Sequence, residues 1–311
     1  MKIYRHLPDI LTRDKLGAVA IGNFDGVHLG HKRVIKEAGD VARIINIPWT
    51  VLTFEPHPRE FFRNNLPPFR LTPFRAKVQR IKELGVDVIV VLKFDLQLCH
   101  CEAEAFIKHV LVDGLAARHV IAGYDFHFGH KRKGDCSMLL QFGKKLGYDF
   151  TAVSAASDDG GGIYASTKIR ELLQEGDIVR ARKILGRPFS ISGIVKSGAR
   201  LGRKIGYPTA NISLGSYVRP RFGIYVVRAF FELNPDLPPL QGVANIGTRP
   251  TVNGKQELLE SFFFDFKGDL YGQRLNIELL KFIRPEEKFP DVKAMASQIA
   301  KDCEVGRAYF Q

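Results

Sequence analysis

The chain of 311 residues is longer than a single hydrophobic core usually supports, so its length predicts two domains that each bury a core of their own. Hydrophobic residues make up 45% and charged residues 25% of the chain, an ordinary globular composition that excludes an intrinsically disordered or collagen-like protein. The N-terminus has no apolar region of the kind found in signal peptides, and no run of about 18 apolar residues occurs. We therefore expect a cytoplasmic protein without a membrane partner.

The formal net charge of +13 indicates anionic partners. The basic residues are spread over the whole chain, and no basic tail or block stands out. The aromatic residues do not form a repeated stacking platform within basic segments, as single-stranded nucleic acid would need. Phosphate-bearing small molecules are therefore the favoured partners and no nucleic acid is expected, while a basic RNA-binding protein with a vestigial nucleotide fold stays open as an alternative.

The first part of the chain alternates short apolar runs with helical patterns. The apolar runs occupy residues 18–22, 50–54, 86–92, 119–123 and 149–154, and amphipathic patterns begin at residues 31, 74, 103 and 136. This alternation predicts an α/β fold with a parallel sheet and helices on both of its faces. Ligands of such sheets bind beyond the carboxyl ends of the strands.

The segment NFDGVHLGH, residues 23–31, lies between the first predicted strand and the first predicted helix. A helix N-terminus at this place offers backbone N–H groups and the positive end of a dipole to a phosphate. Gly26 and Gly30 allow the backbone to approach a ligand closely, and His28 and His31 can donate hydrogen bonds to phosphate oxygens. The spacing alone fits two solvated cap residues equally well.

Two further segments favour a nucleotide pocket. GYDFHFG, residues 123–129, sets Phe126 and Phe128 at the end of the 119–123 strand, where they predict the floor and wall of a pocket for a flat aromatic ligand. STKIR, residues 166–170, opens a helix with two hydroxyl groups and two cations, which predicts a second helix N-terminus suited to an anion.

Residues 189–285 have a different sequence pattern, in which short β-rich runs are separated by Gly, Pro and Asn turns. This pattern predicts a small antiparallel barrel followed by a final helix near residues 291–303. The change places the domain boundary between residues 185 and 186, so the predicted domains span residues 1–185 and 186–311.

A basic glycine loop predicts a second phosphate site at the start of the barrel. Glycines recur every fourth residue among arginine and lysine side chains, which suits a loop that folds over phosphates and excludes a lipid-facing segment. The loop residues concerned are Gly198, Gly202, Arg203 and Gly206.

The PTAN motif and a carboxylate add kinase chemistry to this loop. Thr209 and Asn211 are hard oxygen ligands two residues apart, so on an extended segment their side chains share a face and can bind one Mg²⁺ ion. A kinase that acts on an alcohol also needs a carboxylate near the attacking hydroxyl. Glu260 is the candidate, because LLESFFFDF places it at the head of an apolar strand.

In this order the motifs resemble those of the prokaryotic bifunctional riboflavin kinase/FAD synthetase family. GNFDGVHLGH resembles the family's nucleotidylyltransferase signature, GYDFHFG its flavin and nucleotide motif, and STKIR its phosphate-binding motif. GRKIGYPTANI, GVANIGTRPTV, LESFFFDFKGDLYG and FIRPEEKF resemble successive motifs of its flavokinase domain. The HxGH motif alone would also admit another nucleotidylyltransferase with an accessory barrel.

The resemblance implies a Rossmann-like FMN adenylyltransferase domain followed by a riboflavin kinase domain, the latter a six-stranded antiparallel β-barrel with a C-terminal helix. It implies ATP-dependent phosphorylation of riboflavin to FMN, then adenylylation of FMN to FAD with release of pyrophosphate. Mg²⁺ would be the cofactor, and riboflavin, FMN, ATP and FAD would be the small-molecule partners. The sequence leaves open whether the chain forms a homo-oligomer.

The resemblance also implies roles for single residues. His28 and His31 would bind the ATP phosphates, and Glu260 would accept the proton of the 5'-hydroxyl of riboflavin. The ATP site of the adenylyltransferase would comprise Gly22, Phe24, Asp25, His28, His31, Asp125, Ser166, Thr167 and Arg170. The ATP site of the kinase would comprise Gly198, Gly202, Arg203, Gly206, Pro208 and Thr209. Mg²⁺ would bind to Thr209 and Asn211, and flavin would contact Phe126, Phe128 and Arg284.

Three positions depart from the pattern of the family. His127 stands where an arginine is common, Ala165 where a serine is usual, and Phe262 where a histidine often occurs. None of them carries chemistry assigned above, so they bear on flavin affinity and on the relative efficiency of the two activities.

Overall fold

The computed structural model describes residues 1–62, 67–154, 165–196, 207–251 and 254–311. The chain divides into two compact units, one formed by Met1–Leu66 and Thr72–Ala165 and the other by Pro67–Leu71 and Ser166–Gln311. The second unit thus includes the helical residues 166–185. The functional boundary between residues 185 and 186 stays a prediction.

A parallel sheet forms the centre of the first unit. Its strands in the described part of the chain are β1 (Lys2–Tyr4), β2 (Ala18–Ile21), β3 (Trp49–Glu55), β4 (Val88–Lys93), β5 (His119–Gly123) and β6 (Asp149–Val153). The order across the sheet is β1-β4-β3-β2-β5-β6, and neighbouring strands are parallel throughout. The winding reverses between β2 and β5, and a crevice for a ligand opens beyond the strand ends at such a point. The predicted parallel sheet is confirmed, and it gains β1, whose three residues carry no apolar run.

Helices cover both faces of this sheet. They are α1 (Leu29–Ile44), α2 (Pro58–Phe62), α3 (Phe74–Lys82), α4 (Leu96–Cys99), α5 (Ala103–Phe106) and α6 (Cys136–Leu146), and Ile107–Gly114 continues α5 as a π-helix. Each face has its own apolar core. Ile35 of α1 and Val51 of β3 belong to one core, and Val90, Leu111 and Leu139 belong to the other.

The second unit contains an antiparallel sheet that curls into a nearly closed barrel. Its described strands are β7 (Phe189–Ile194), β8 (Ala210–Ser213), β9 (Gly223–Phe231), β10 (Leu240–Thr251), β11 (Gly254–Phe263) and β12 (Arg274–Arg284), in the order β7-β12-β9-β10-β11-β8. The backbone N–H of Lys196, just after β7, donates to the carbonyl of Asn211 in β8 at 2.9 Å and brings the two edges together. The predicted six-stranded antiparallel barrel is confirmed.

Three helices belong to the second unit in the ranges described above: α7 (Ser166–Glu175), α8 (Ile178–Leu185) and α9 (Val292–Phe310). The final helix α9 continues past the predicted end at residue 303. The extension packs on the barrel, because a Cβ atom at Gly306 would lie 2.7 Å from Val243 of β10. No helix in the described ranges has both the length and the apolarity needed to cross a bilayer.

Candidate functional site

The loop between β2 and α1 folds back over the end of β2. Phe24 is 2% exposed, and a Cβ atom on Gly22 would lie 3.0 Å from its ring. The Oδ1 atom of Asp25, which is also buried, accepts hydrogen bonds from the backbone N–H (3.0 Å) and hydroxyl (3.4 Å) of Thr72. The Thr72 hydroxyl oxygen accepts in turn from the Gly26 N–H at 2.8 Å. These contacts fix the path of the loop, whereas the ATP contacts of Gly22, Phe24 and Asp25 stay predictions.

Backbone strain is concentrated in this loop. The φ angle is 50° at Phe24, 93° at Gly26 and 43° at Val27, all in the left-handed region. Glycine adopts this region freely, but the conformation costs other L-residues about 1–2 kcal/mol each. Phe24 and Val27 are both fully packed, and their burial offsets that cost. Such strain is typical of backbone that is shaped for function.

His28 is the N-cap of α1. Its Nδ1 atom accepts a hydrogen bond from the His31 backbone N–H at 3.3 Å, and the residue is only 4% exposed. His28 is therefore a cap residue, but a buried one rather than a solvated one. Because Nδ1 accepts, the neutral ring carries its proton on Nε2, and this N–H is a hydrogen-bond donor.

His31 lies directly against His28. The two imidazole rings stack with their centroids 3.6 Å apart and their planes at 23°, and the edge of Phe24 packs on His31 at 5.5 Å. The first turn of α1 adds backbone N–H groups and positive potential at the same place. The predicted position of both histidines beyond the end of β2 is confirmed, whereas their binding of phosphate stays a prediction.

A buried lysine of α3 contacts both this loop and the end of the neighbouring strand β3. Lys77 of α3 is 1% exposed, and its Nζ atom lies 2.7 Å from Oε1 of Glu55 at the end of β3. The same ammonium group donates to the Thr53 hydroxyl at 3.1 Å and to the carbonyl of Asn23 at 3.3 Å. Since Asn23 directly precedes the strained turn, Lys77 connects the histidine loop to the end of the neighbouring strand.

The second predicted segment of this unit follows β5, the neighbour of β2 in the sheet. Asp125 is exposed, Phe126 is half-buried and Phe128 is 6% exposed. The rings of Phe126 and Phe128 are nearly parallel, with centroids 5.7 Å apart, and Phe128 also packs on Phe106 of the core. β2 and β5 are parallel neighbours, so this segment and the histidine loop lie at the same sheet edge, as expected. Contacts of these residues with ATP or flavin stay predictions.

The STKIR segment forms the first turns of α7. Ser166 is the first residue of this helix rather than the N-cap residue that precedes a helix, and Thr167 follows it. Arg170 donates from Nε to the carbonyl of Phe69 at 2.8 Å and lies over the Phe69 ring at 5.2 Å. Within the second unit, Arg170 thus anchors the segment 67–71. The phosphate contacts of Ser166, Thr167 and Arg170 stay predictions.

The barrel carries a row of polar side chains across three adjacent strands. Glu260 of β11 lies directly opposite Asn211 of β8 on one side and Asn245 of β10 on the other. The next row, formed by Ile212, Leu259 and Ile246, is almost fully buried and faces the opposite way. The structure thus brings Asn211 and Glu260 together, although Glu260 lies well inside β11 and not at the head of a strand. The expectation that Glu260 heads its strand was wrong, because β11 begins at Gly254, six residues earlier.

Arg249 of β10 binds the carboxylate of Glu260. Both Nε (2.8 Å) and Nη2 (2.5 Å) of Arg249 reach the same oxygen, Oε2, and this ion pair raises the pKa of Arg249 above its usual value. Oε1 receives no hydrogen bond from a described residue, so this oxygen is available to accept a proton or a hydroxyl. Arg249 belongs to the GVANIGTRPTV motif, but this motif alone did not indicate that its side chain pairs with Glu260.

The amide of Asn211 suits a hard cation. Asn211 is 6% exposed, and its Nδ2 atom donates to the carbonyl of Thr209 at 3.4 Å. This contact turns Oδ1 the other way, and Oδ1 is buried without a donor among the described residues. A buried carbonyl oxygen of this kind is a ligand that Mg²⁺ accepts. The residues present therefore fit the ion.

Arg284 is engaged elsewhere in the second unit. Its Nε and Nη2 atoms bind both oxygens of Asp302 on α9 at 2.9 and 2.7 Å, and this ion pair raises the pKa of Arg284. The pair joins the end of β12 to the final helix, and flavin binding by Arg284 stays a prediction. Pro208 is an exposed residue that precedes β8. The predicted loop residues Gly198, Gly202, Arg203 and Gly206 lie outside the described residues.

The two units are thus an α/β unit of the nucleotidylyltransferase kind and a kinase-type barrel. Two family models match the chain, FAD synthetase at residues 11–167 and riboflavin kinase at residues 185–310. The bifunctional riboflavin kinase/FMN adenylyltransferase of Escherichia coli K12 is 39% identical over 311 residues, which cover 100% of this chain and 98% of the relative. That of Haemophilus influenzae is 41% identical over 293 residues, 94% of each chain. The chain therefore belongs to the bifunctional riboflavin kinase/FMN adenylyltransferase family, and the predicted resemblance is confirmed.

A solved structure shares the fold over nearly the whole chain. A crystal structure from Streptococcus pneumoniae, described as a macrolide-efflux protein, has a TM-score of 0.84 and 29% identity, with 98% of each chain covered. The riboflavin kinase model matches the barrel itself. This match disfavours the alternative of another nucleotidylyltransferase, whose accessory barrel would be unrelated to riboflavin kinase. Family membership over the full length likewise disfavours an RNA-binding protein with a vestigial nucleotide fold.

The buried ion pair under the histidine loop gives a stability prediction. Lys77→Met removes the buried ammonium group that pairs with the partly buried Glu55, and breaking a buried pair typically costs about 3–5 kcal/mol, an upper bound for this pair. We expect urea unfolding to shift accordingly when followed by the fluorescence of Trp49, the single tryptophan of the chain and a residue of the first unit. Lys82→Met, at an exposed position of the same helix, is the matched control and should change stability by less than about 0.5 kcal/mol. Equal effects of the two substitutions would contradict the role of Lys77.

Proposed function

We propose that this chain makes FAD from riboflavin in two ATP-dependent steps at two separate sites. The barrel transfers the terminal phosphoryl group of ATP to riboflavin, giving FMN and ADP. The α/β unit transfers the adenylyl group of a second ATP to FMN, giving FAD and pyrophosphate. The observation that supports this division of labour most directly is that one chain carries a histidine pair at a helix N-terminus in one unit and the Asn211–Glu260 pair in the other.

Adenylylation needs no nucleophile from the protein. The phosphate of FMN is already an anion and attacks the α-phosphorus of ATP, so the protein has to align the reactants and neutralise charge. His28 and His31 are placed to do this at the carboxyl end of β2, because Nε2–H of His28 and the backbone N–H groups of α1 are donors. Asp125, Phe126 and Phe128, at the end of β5, extend the same sheet edge toward the nucleotide and the flavin ring.

Phosphorylation of riboflavin needs a group that accepts the proton of the attacking alcohol. Glu260 is suited to this role, because Arg249 fixes one carboxylate oxygen and leaves Oε1 open to the 5'-hydroxyl. The hydroxyl oxygen then attacks the γ-phosphorus, and ADP leaves. The register of β11 between β8 and β10 sets the distance from the carboxylate to the amide of Asn211, the proposed Mg²⁺ ligand.

Asn211 and Thr209 would hold Mg²⁺ beside Glu260. When bound there, the ion neutralises phosphate oxygens of ATP. The buried Oδ1 of Asn211 supports this assignment, since its amide nitrogen is already engaged by Thr209. The sequence predicts that the basic glycine loop, residues 198–206, covers the phosphates.

Substitution of both histidines tests the adenylylation site. Removing one well-placed donor to developing charge typically lowers a rate by a hundredfold or more. We therefore expect the double variant His28→Ala with His31→Ala to lose FAD formation from FMN by at least about a hundredfold, while riboflavin phosphorylation changes by less than about twofold. Chromatography of the flavins formed from riboflavin or from FMN measures both. Loss of both activities in a folded variant would refute the two-site division.

Glu260→Gln tests the kinase site and should give the reverse result, with phosphorylation lost and adenylylation kept. The amide is close in shape to the carboxylate but cannot accept the proton, and general-base catalysis contributes about 10²–10⁴-fold. Phosphorylation of riboflavin should fall by this factor, and adenylylation of supplied FMN should persist. Glu257→Gln, on the same strand but bound to Arg219, is the control that should keep the kinase activity.

Asn211→Ala tests the proposed Mg²⁺ ligand. Loss of the amide oxygen should raise the Mg²⁺ concentration that gives half-maximal kinase activity by about tenfold or more. Asn276→Ala removes an amide from β12, outside the Glu260 row, and should leave the Mg²⁺ dependence unchanged. An unchanged Mg²⁺ titration of the Asn211 variant would exclude this residue as a ligand.

A further inference from the structure

Asn245 lies beside Glu260 and has no role in the assignments above. It occupies the position of β10 directly opposite Glu260, while Asn211 occupies the opposite position on β8. Side chains of directly opposite residues on adjacent strands lie on the same face and within contact distance. The carboxylate is therefore flanked by one amide on each neighbouring strand.

The two amides are oriented in the same way. Nδ2 of Asn211 donates to the carbonyl of Thr209, and Nδ2 of Asn245 donates to Oε1 of Glu286 at 2.9 Å. Carbonyl and carboxylate oxygens only accept, so each contact identifies the nitrogen end of the amide. Both Oδ1 atoms are buried and receive no hydrogen bond from any described residue. A buried oxygen without a donor costs free energy, and a ligand that donates to it removes the cost.

Glu286 and Gly247 together fix this orientation of the Asn245 amide. The carboxylate of Glu286, in the segment after β12, lies over Gly247, where a Cβ atom would be 1.9 Å from Oε1. Gly247 is two residues from Asn245 and so belongs to the same face of β10. Glycine at this position leaves the space that Glu286 needs to reach the amide nitrogen.

A shared metal ion does not account for the oxygen of Asn245. Neighbouring strands are about 4.8 Å apart, so the backbones of Asn211 and Asn245, which flank β11, are about 10 Å apart. Two oxygens on one Mg²⁺ ion lie within about 4 Å of each other. The row also faces outward from the apolar interior that contains Leu259, and side chains diverge on the outer face of a curved sheet. Asn245 therefore needs a donor of its own.

We propose that Asn245 contacts the alcohol substrate, its Oδ1 accepting a hydrogen bond from a hydroxyl of the ribityl chain other than the one that is phosphorylated. The inference rests on the proposed function, in which Glu260 takes the proton of the terminal hydroxyl. Asn245, the next residue along the row, then lies near the part of the substrate that follows this hydroxyl. In riboflavin this part is a chain with hydroxyls at the 4', 3' and 2' carbons. Asn245 would select polyhydroxylated alcohols over flavins that lack this chain.

Kinetics with deoxy analogues of riboflavin test the contact. The 2'-, 3'- and 4'-deoxy compounds each lack one ribityl hydroxyl and keep the reacting one. Asn245→Ala should lower kcat/KM for riboflavin by about five- to tenfold, mainly through KM, the typical effect of one lost hydrogen bond. One analogue should show a similar loss with the unaltered enzyme and little further loss with the variant. Gln241→Ala, an exposed amide on the same strand, should leave the selectivity unchanged.

Each other outcome overturns the inference. Unchanged kcat/KM of Asn245→Ala, or an equal loss with riboflavin and all three analogues, would give Asn245 a structural role only. If Asn245→Ala does not fold, Glu286→Ala, at an exposed position, releases the amide and should weaken the same analogue preference. Full activity of Glu260→Gln would instead refute the proposed kinase site, so the two failures are distinguishable.

Discussion

Strand register is the constraint on which both candidate sites depend. Side chains alternate along a strand, so a slip of one residue in β11 would turn Glu260 into the apolar interior and bring Leu259 to the outer face. The pairing of β11 with β8 and β10 prevents this, because Ile212, Leu259 and Ile246 are buried only in the observed register. In the first unit, the parallel register of β2 and β5 ends both strands at one edge and brings the histidine loop beside the Phe126 segment. In each unit the apolar core thus positions the polar chemistry.

The two sites use the fold in different ways. In the α/β unit the candidate histidines follow a strained loop, in which two non-glycine residues, Phe24 and Val27, adopt positive φ angles. Burial of these two residues and the Lys77–Glu55 pair hold this conformation. In the barrel the candidate residues Asn211 and Glu260 lie on the strands themselves, where the regular spacing of opposite residues sets the distances between them. A charge-neutralising site benefits from backbone N–H groups of a helix start, whereas a proton-accepting site needs one carboxylate at a fixed place.

Partners of the functional side chains decide which atoms remain for a substrate. Arg249 takes one oxygen of Glu260, Thr209 takes the amide nitrogen of Asn211, and Glu286 takes that of Asn245. Each of these contacts leaves an oxygen of the site residue to accept from, or bind to, what enters the site. His28 differs from these residues, since its Nδ1 accepts within the protein and its Nε2–H is a donor. The candidate residues of the barrel therefore present acceptor atoms, and those of the α/β unit present donor groups.

The sequence by itself determined the fold class of both units and the place of the histidine pair, and it singled out the PTAN motif and Glu260, because apolar periodicity and short motifs are local properties of the chain. It did not reveal Lys77, which is a lysine on an amphipathic helix like many exposed ones. Nor did it reveal the partners of Arg249 and Asn245, which lie on or beyond neighbouring strands. It also misplaced Glu260 within its strand, since the length of the β10–β11 hairpin depends on pairing between segments. Burial, register and hydrogen-bond partners join residues far apart in the chain, and for this reason only the tertiary structure decided them.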